Sequence, residues 1–91
     1  MFSLQIKRKQ LRFIEGLSSP QKKSVKSVLS LLKSDPVPVK MRDVVKLKGH
    51  VNTYRIRIGR IRIVYTVDWG ARNIVIQFVG LRGKAYRKPD D

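Results

Sequence analysis

Arg55, Arg57 and Arg62 are the residues whose type and spacing point most directly to chemistry. Tyr54 to Ile58 alternates apolar and basic residues, Ile61 to Val67 alternates likewise, and Gly59-Arg60 between them suits a two-residue turn with glycine first. That turn predicts a register in which Ile58 pairs with Ile61. Tyr54, Ile56, Ile63 and Tyr65 then share one face, while Arg55, Arg57, Arg62, Val64 and Thr66 share the other. Arg57 and Arg62 stand directly across the hairpin with Arg55 one diagonal step away, and like charges so placed repel unless an anion lies between them. No Asp or Glu occurs from Val44 to Val67, a stretch that also holds Lys46, Lys48 and Arg60, so no local carboxylate is expected to neutralise this face. A phosphodiester would do so. Guanidinium binds phosphate oxygens bidentately and stays charged at any working pH, which suits it to holding a nucleic-acid backbone and to stabilising charge on a transferring phosphate. An ordinary solvated strand face is the competing reading of the same pattern.

The C-terminal run Leu81-Arg82-Gly83-Lys84-Ala85-Tyr86-Arg87-Lys88 mixes cations with one aromatic, as a clamp on single-stranded nucleic acid would. A solvated, frayed terminus would look the same. His50 falls in a polar connection and reads as a solvated loop residue, and the seven serines lack His and Asp company and read as caps and surface.

These residues need a scaffold to position them. Phe2, Leu4 and Ile6 alternate with Ser3 and Gln5, which predicts a first strand. From Arg8 to Gly16, Leu11, Ile14 and Leu17 recur at helical spacing and predict a short helix with glycine as its stop. Ser19 as N-cap and Pro20 at the first helical position open a second helix, whose Val25, Val28, Leu29 and Leu32 form one apolar stripe between lysines 22, 23, 26 and 33. Asp35-Pro36-Val37-Pro38 enforces extended backbone after Ser34. Val44, Val45 and Leu47 suggest a strand, followed by the Tyr54–Ile58 and Ile61–Val67 hairpin. Asn73 to Val79 is nearly all apolar and reads as a central strand buried on both faces. The whole is expected to be a single α+β domain over 1–91: an N-terminal strand and a two-helix hairpin covering one face of a mostly antiparallel four- to five-stranded sheet, with a basic opposite face.

Composition narrows the function. The 91 residues hold 21 Lys or Arg against six Asp or Glu, a formal net charge of +15, which points to a polyanionic partner. The absence of cysteine excludes thiolate chemistry and Cys-based metal sites, and a lone histidine excludes most His-based ones. No apolar run is long enough for a membrane span or signal peptide, so a cytoplasmic location is expected. A basic membrane-surface helix fits poorly, because much of the charge lies on strands.

Val45 to Gly49 (Val-Lys-Leu-Lys-Gly), Tyr54 to Gly59 (Tyr-Arg-Ile-Arg-Ile-Gly), Ile61 to Tyr65 (Ile-Arg-Ile-Val-Tyr) and Leu81 to Tyr86 (Leu-Arg-Gly-Lys-Ala-Tyr) follow one another in an order and spacing that resembles the RelE branch of the RelE/ParE toxin superfamily, especially its short archaeal members. The resemblance covers nearly the whole chain. It implies a translation-inhibiting toxin that enters the ribosomal A site and cleaves mRNA there, held inactive by an acidic or amphipathic RelB-type antitoxin that wraps it. Arg62 matches the family's strand arginine and Arg82 the arginine opening its C-terminal segment. Arg55 and Arg57 match basic positions that are usually lysines in bacterial members, and Leu47 and Lys48 match the preceding strand. Tyr86 corresponds to a C-terminal tyrosine that bacterial members carry on a longer segment, and Ile61 replaces an aromatic. The implied roles are transition-state stabilisation by Arg62 and Arg82, phosphate positioning by Arg55 and Arg57, orientation or deprotonation of the RNA 2′-hydroxyl by Tyr86, and backbone contact by Lys46, Lys48, Lys84 and Arg60. No metal or cofactor is called for. Two other readings fit the basic face: a non-enzymatic RNA- or ribosome-binding protein, and a ParE-like toxin acting on DNA gyrase.

Overall fold

The computed structural model describes residues 1–40 and 42–81. Strand β1 (Ser3–Ile6) leads into helices α1 (Arg8–Glu15) and α2 (Ser19–Ser34), and strands β2 (Asp43–Lys46), β3 (Thr53–Ile58), β4 (Ile61–Asp68) and β5 (Asn73–Leu81) follow. The five strands form one sheet in the order β1-β5-β4-β3-β2, antiparallel except where β1 runs parallel to β5. The α+β arrangement expected from the sequence is therefore the observed one. No helix among the described residues is long and apolar enough to cross a membrane.

The β3–β4 hairpin has the expected register, with Ile58 opposite Ile61, Arg57 opposite Arg62 and Tyr54 opposite Tyr65. Gly59 has φ 59° while Arg60 keeps negative φ, as a type II′ turn requires. One face of the sheet and the two helices enclose the core: Ile56, Ile63, Tyr65, Ile74 and Ile76 are fully buried against Ile14, Val25, Val28 and Leu32. Tyr65 is the largest of these side chains, stacks on Tyr54 at 5.8 Å, and donates a 2.7 Å hydrogen bond to the carbonyl of Pro36. That bond fastens the proline-rich link between α2 and β2 to the sheet.

Four details depart from the sequence reading. The α2 cap is Ser18, whose hydroxyl accepts from the Gln21 amide at 3.4 Å, so Ser19 is the first helical residue and Pro20 the second. On α1, Leu11 faces solvent while Gln10 is buried one turn before Ile14. The Gln10 Oε1 accepts from the Val79 amide at 2.7 Å, which explains a buried amide side chain on a short helix. Strand β2 begins at Asp43 and ends at Lys46, leaving Leu47 in the connection that follows.

Strand β5 is flanked on both edges but is not buried on both faces. Its near-continuous apolar run has another cause. Val64 pairs with Phe78 and Tyr65 with Ile76, so Gln77 is the extra residue of a β-bulge. The bulge reverses the alternation: Ile76 and Val79, an odd number apart, both enter the core, while Phe78 lies on the opposite face with half-exposed Gln77 beside it.

Candidate nucleic-acid interface

The face of the sheet turned away from the helices carries Arg55 and Arg57 on β3, Arg62 on β4 and Phe78 on β5. Their placement follows from strand alternation, and their closeness from the hairpin register. Gly80 pairs with Arg62 across β4 and β5 and has no side chain to compete for space. The Phe78 ring lies over that glycine: a Cβ placed on Gly80 would stand 2.4 Å from its Cζ. Val64 sits on the same face between Arg55 and Phe78 and is only 2% exposed. Arg55, paired with Val64 on the neighbouring strand, has a side chain that is 21% exposed.

Asp43 corrects the expectation of a face without a carboxylate. It lies one residue before the acid-free stretch, and the antiparallel pairing of β2 with β3 sets it directly opposite Arg57. Its Oδ2 accepts from Arg57 Nε at 2.6 Å and is 2.6 Å from the neighbouring terminal nitrogen, while Oδ1 is 3.8 Å from Arg55. One carboxylate thus answers two of three guanidiniums. Arg62 makes no ion pair among the described residues, and its Nε, like that of Arg55, is buried without a hydrogen-bond partner. Burial lowers the pKa of Arg55, the Arg57 and Arg62 charges lower it further, and Asp43 opposes the shift. Arg55 remains charged. The cluster therefore has three cations, one anion and unused donors, which together suit a phosphate diester.

The other expected contacts are placed differently. Lys46 pairs with Tyr54, so alternation puts it on the helix side of β2 and not with the arginines. Lys48 lies in the β2–β3 connection, where Lys46 to Asn52 line a cavity of about 700 Å³ with His50 among them. Arg60 is at the tip of the hairpin and lines a cleft of about 540 Å³ with Phe13, Leu17, Gln21 and Leu81, at the helical end of the molecule. Arg82, Lys84 and Tyr86 lie outside the described residues. Trp69, in the β4–β5 turn, packs edge-on against Phe2 at 5.6 Å. Asp43 and Phe78 are the site residues that sequence reasoning missed; the aspartate was visible only as the residue bordering the acid-free run.

A small α+β protein with an arginine cluster on the open face of its sheet is the class defined by this geometry. No protein-family model matches the chain. It is 34% identical over 88 residues, 97% of its own length and 98% of the relative's, to a Methanocaldococcus jannaschii protein named "Putative toxin RelE1". Its fold superposes with a TM-score of 0.82 on the RelE–RelB complex of Pyrococcus horikoshii, at 28% identity and covering 92% of this chain and 98% of that one. The intact RelBE toxin–antitoxin complex of E. coli shares the fold at a TM-score of 0.75 and 22% identity, covering 96% and 100% of the two chains. The chain belongs to the RelE family of toxins.

Proposed function

We propose that this protein is a ribosome-dependent endoribonuclease, the toxin of a toxin–antitoxin pair, which cleaves mRNA in the ribosomal A site and so stops translation. The observation that carries the reading is Arg62: a guanidinium without a carboxylate partner among the described residues, its Nε buried and unsatisfied there, in register with Arg57 on the open sheet face. A buried donor left unpaired is costly, and a site that keeps one is matched to an anion that arrives from outside.

In the reaction the RNA's own 2′-hydroxyl attacks the adjacent phosphorus, the bond to the 5′-oxygen breaks, and negative charge builds on the phosphate oxygens and the leaving oxygen. Arg62 and Arg82 stabilise that charge by donating hydrogen bonds to the oxygens on which it develops. Arg55 and Arg57 position the phosphate, Tyr86 orients or deprotonates the 2′-hydroxyl, and Lys48 and Lys84 hold the flanking backbone. Lys46 and Arg60, which the fold turns away from the cluster, serve the larger ribosomal contact. A guanidinium does not give up its proton at neutral pH, so the protein lacks a strong base among these arginines and depends on RNA held in the reactive geometry. The ribosome supplies that geometry and sets the site of action in the cytoplasm. The relatives crystallised with RelB support a RelB-type antitoxin as the partner, acidic or amphipathic to answer a charge of +15.

The test is cleavage of a defined mRNA on purified ribosomes with an empty A site. The wild type should cut within the A-site codon, and Arg62→Ala and Arg82→Ala should fold but not cut. Ribosome binding without cleavage would make the arginine face a docking surface, and vigorous cleavage of naked RNA insensitive to Arg62→Ala would refute the assignment.

A further inference from the structure

We infer that Asp43 is a positioning residue of this site: a resident anion that holds Arg57 and Arg55 in a phosphate-ready arrangement and yields its place to the RNA phosphodiester. The inference rests on the nucleolytic reading and adds to it a residue that the basic motifs do not contain.

Three observations support it. The Asp43 carboxylate occupies the Nε edge of Arg57, the edge through which a guanidinium grips a phosphate with two parallel bonds. Its second oxygen reaches towards Arg55 at 3.8 Å, so one group bridges two cations as a phosphate would. The ion pair is also open to solvent, with side-chain exposures of 44% for Asp43 and 35% for Arg57, and exposed pairs of this kind are weak ties that an incoming anion can replace. Arg62, opposite Arg57 on its other side, receives nothing from Asp43.

The arrangement has a consequence for selectivity. Without an acceptor at position 43, Arg57 would be repelled by Arg55 and Arg62 and lose its aim; an asparagine keeps an oxygen for the Arg57 Nε–H and removes only the competing charge. With Asp43, Arg57 stays aimed, but RNA must compete with a tethered carboxylate before it can bind there. Free RNA in physiological salt loses much of its electrostatic advantage in that competition, whereas RNA already held against the face does not. Asp43 thereby biases the protein towards RNA presented by another body.

The test measures binding of the full-length protein to a fluorescent single-stranded oligodeoxynucleotide, which lacks the 2′-hydroxyl and cannot be cut, across a series of salt concentrations. Asp43→Asn should bind about three- to tenfold tighter at roughly 50 mM salt, with the log–log salt slope steeper by about 0.7, the mark of one added phosphate contact on a single strand. Asp43→Glu should keep the wild-type slope, and adding Arg57→Ala to Asp43→Asn should cancel the gain. If Asp43→Asn folds and binds no more tightly, while Arg62→Ala still weakens the wild type, Asp43 only fastens β2 to β3; the inference falls and the proposed function stands. If Asp43→Asn folds and still fails to bind the oligonucleotide, the inference falls, and cleavage on ribosomes decides the proposed function by itself. A loss of kcat by Asp43→Asn on ribosome-held mRNA with KM unchanged would make the carboxylate part of the chemistry and equally overturn a purely positioning role. Should Asp43→Asn not fold, the wild type decides alone: the Arg57 Nε–H resonance should shift when the oligonucleotide is added, and an unmoved resonance under saturated binding refutes the exchange.

Discussion

Replacing Arg62 by methionine should make the protein more stable and inactive at once. Arg62 stands directly opposite Arg57, and like charges in such a cross-strand pair cost roughly 0.2–1 kcal/mol. Its Nε is buried without a partner among the described residues, and a buried unsatisfied donor costs about 1–3 kcal/mol. Methionine keeps an unbranched apolar stem against the sheet while removing both penalties. Part of the gain is offset, because methionine replaces only part of the packing of the longer arginine side chain, so a net stabilisation of about 1–2 kcal/mol is expected. For a domain of this size each kcal/mol moves the melting temperature by roughly 4–8 °C. Thermal and urea unfolding followed by circular dichroism would measure it. The charge-repulsion share should vanish near 1 M salt, where the Debye length is about 3 Å, and the burial share should persist. Cleavage on ribosomes should fall by about 10²–10³, the usual effect of removing one donor to a developing oxyanion. A folded Arg62→Met that melts lower than the wild type, or one that still cuts, would refute the argument that this arginine is kept unpaired for an external phosphate.

Three further outcomes follow from the packing. Tyr65→Phe removes the 2.7 Å bond to the Pro36 carbonyl and should cost about 1–3 kcal/mol in urea unfolding. Burial, then the neighbouring Tyr54 and Asp35, push the Tyr65 pKa above the ordinary 10.0, so the unfolded chain releases its phenolic proton first. Wild-type stability from this group is therefore complete below pH 10 and is lost as pH rises beyond it, whereas Tyr65→Phe should lack that component of the alkaline decline. Gln10→Leu strands the buried Val79 amide and should destabilise by about 1–3 kcal/mol, with faster hydrogen exchange at Val79 as the local sign. Ser18→Ala should cost about 0.5–1 kcal/mol and Ser19→Ala clearly less, since the hydroxyl of Ser18 is the one that caps α2.

The pattern of residues close along the chain determined much of this protein. Two alternating runs joined by Gly59-Arg60 were enough to set the β3–β4 register, and with it the face shared by Arg55, Arg57 and Arg62, because a two-residue turn leaves a strand pair no freedom to slip. The apolar stripe of α2 was equally legible, since helical spacing depends only on neighbours three and four positions away. The order of motifs was enough to suggest the family. What depended on distant pairing was not legible. Asp43 meets Arg57 across 14 residues of chain, through a β2–β3 register set by packing and not by a tight turn. The bulge at Gln77 reversed the alternation of β5, so an apolar run that resembled a doubly buried strand is one buried face and one face that carries Phe78 beside the arginines. Gln10 was indistinguishable from a surface residue until the fold brought it to the Val79 amide, 69 positions away. Local periodicity records which way each side chain points within its own element. Only the tertiary structure decides which charges, bulges and orphan amides meet, because those encounters join segments whose separation in sequence carries no periodic signal.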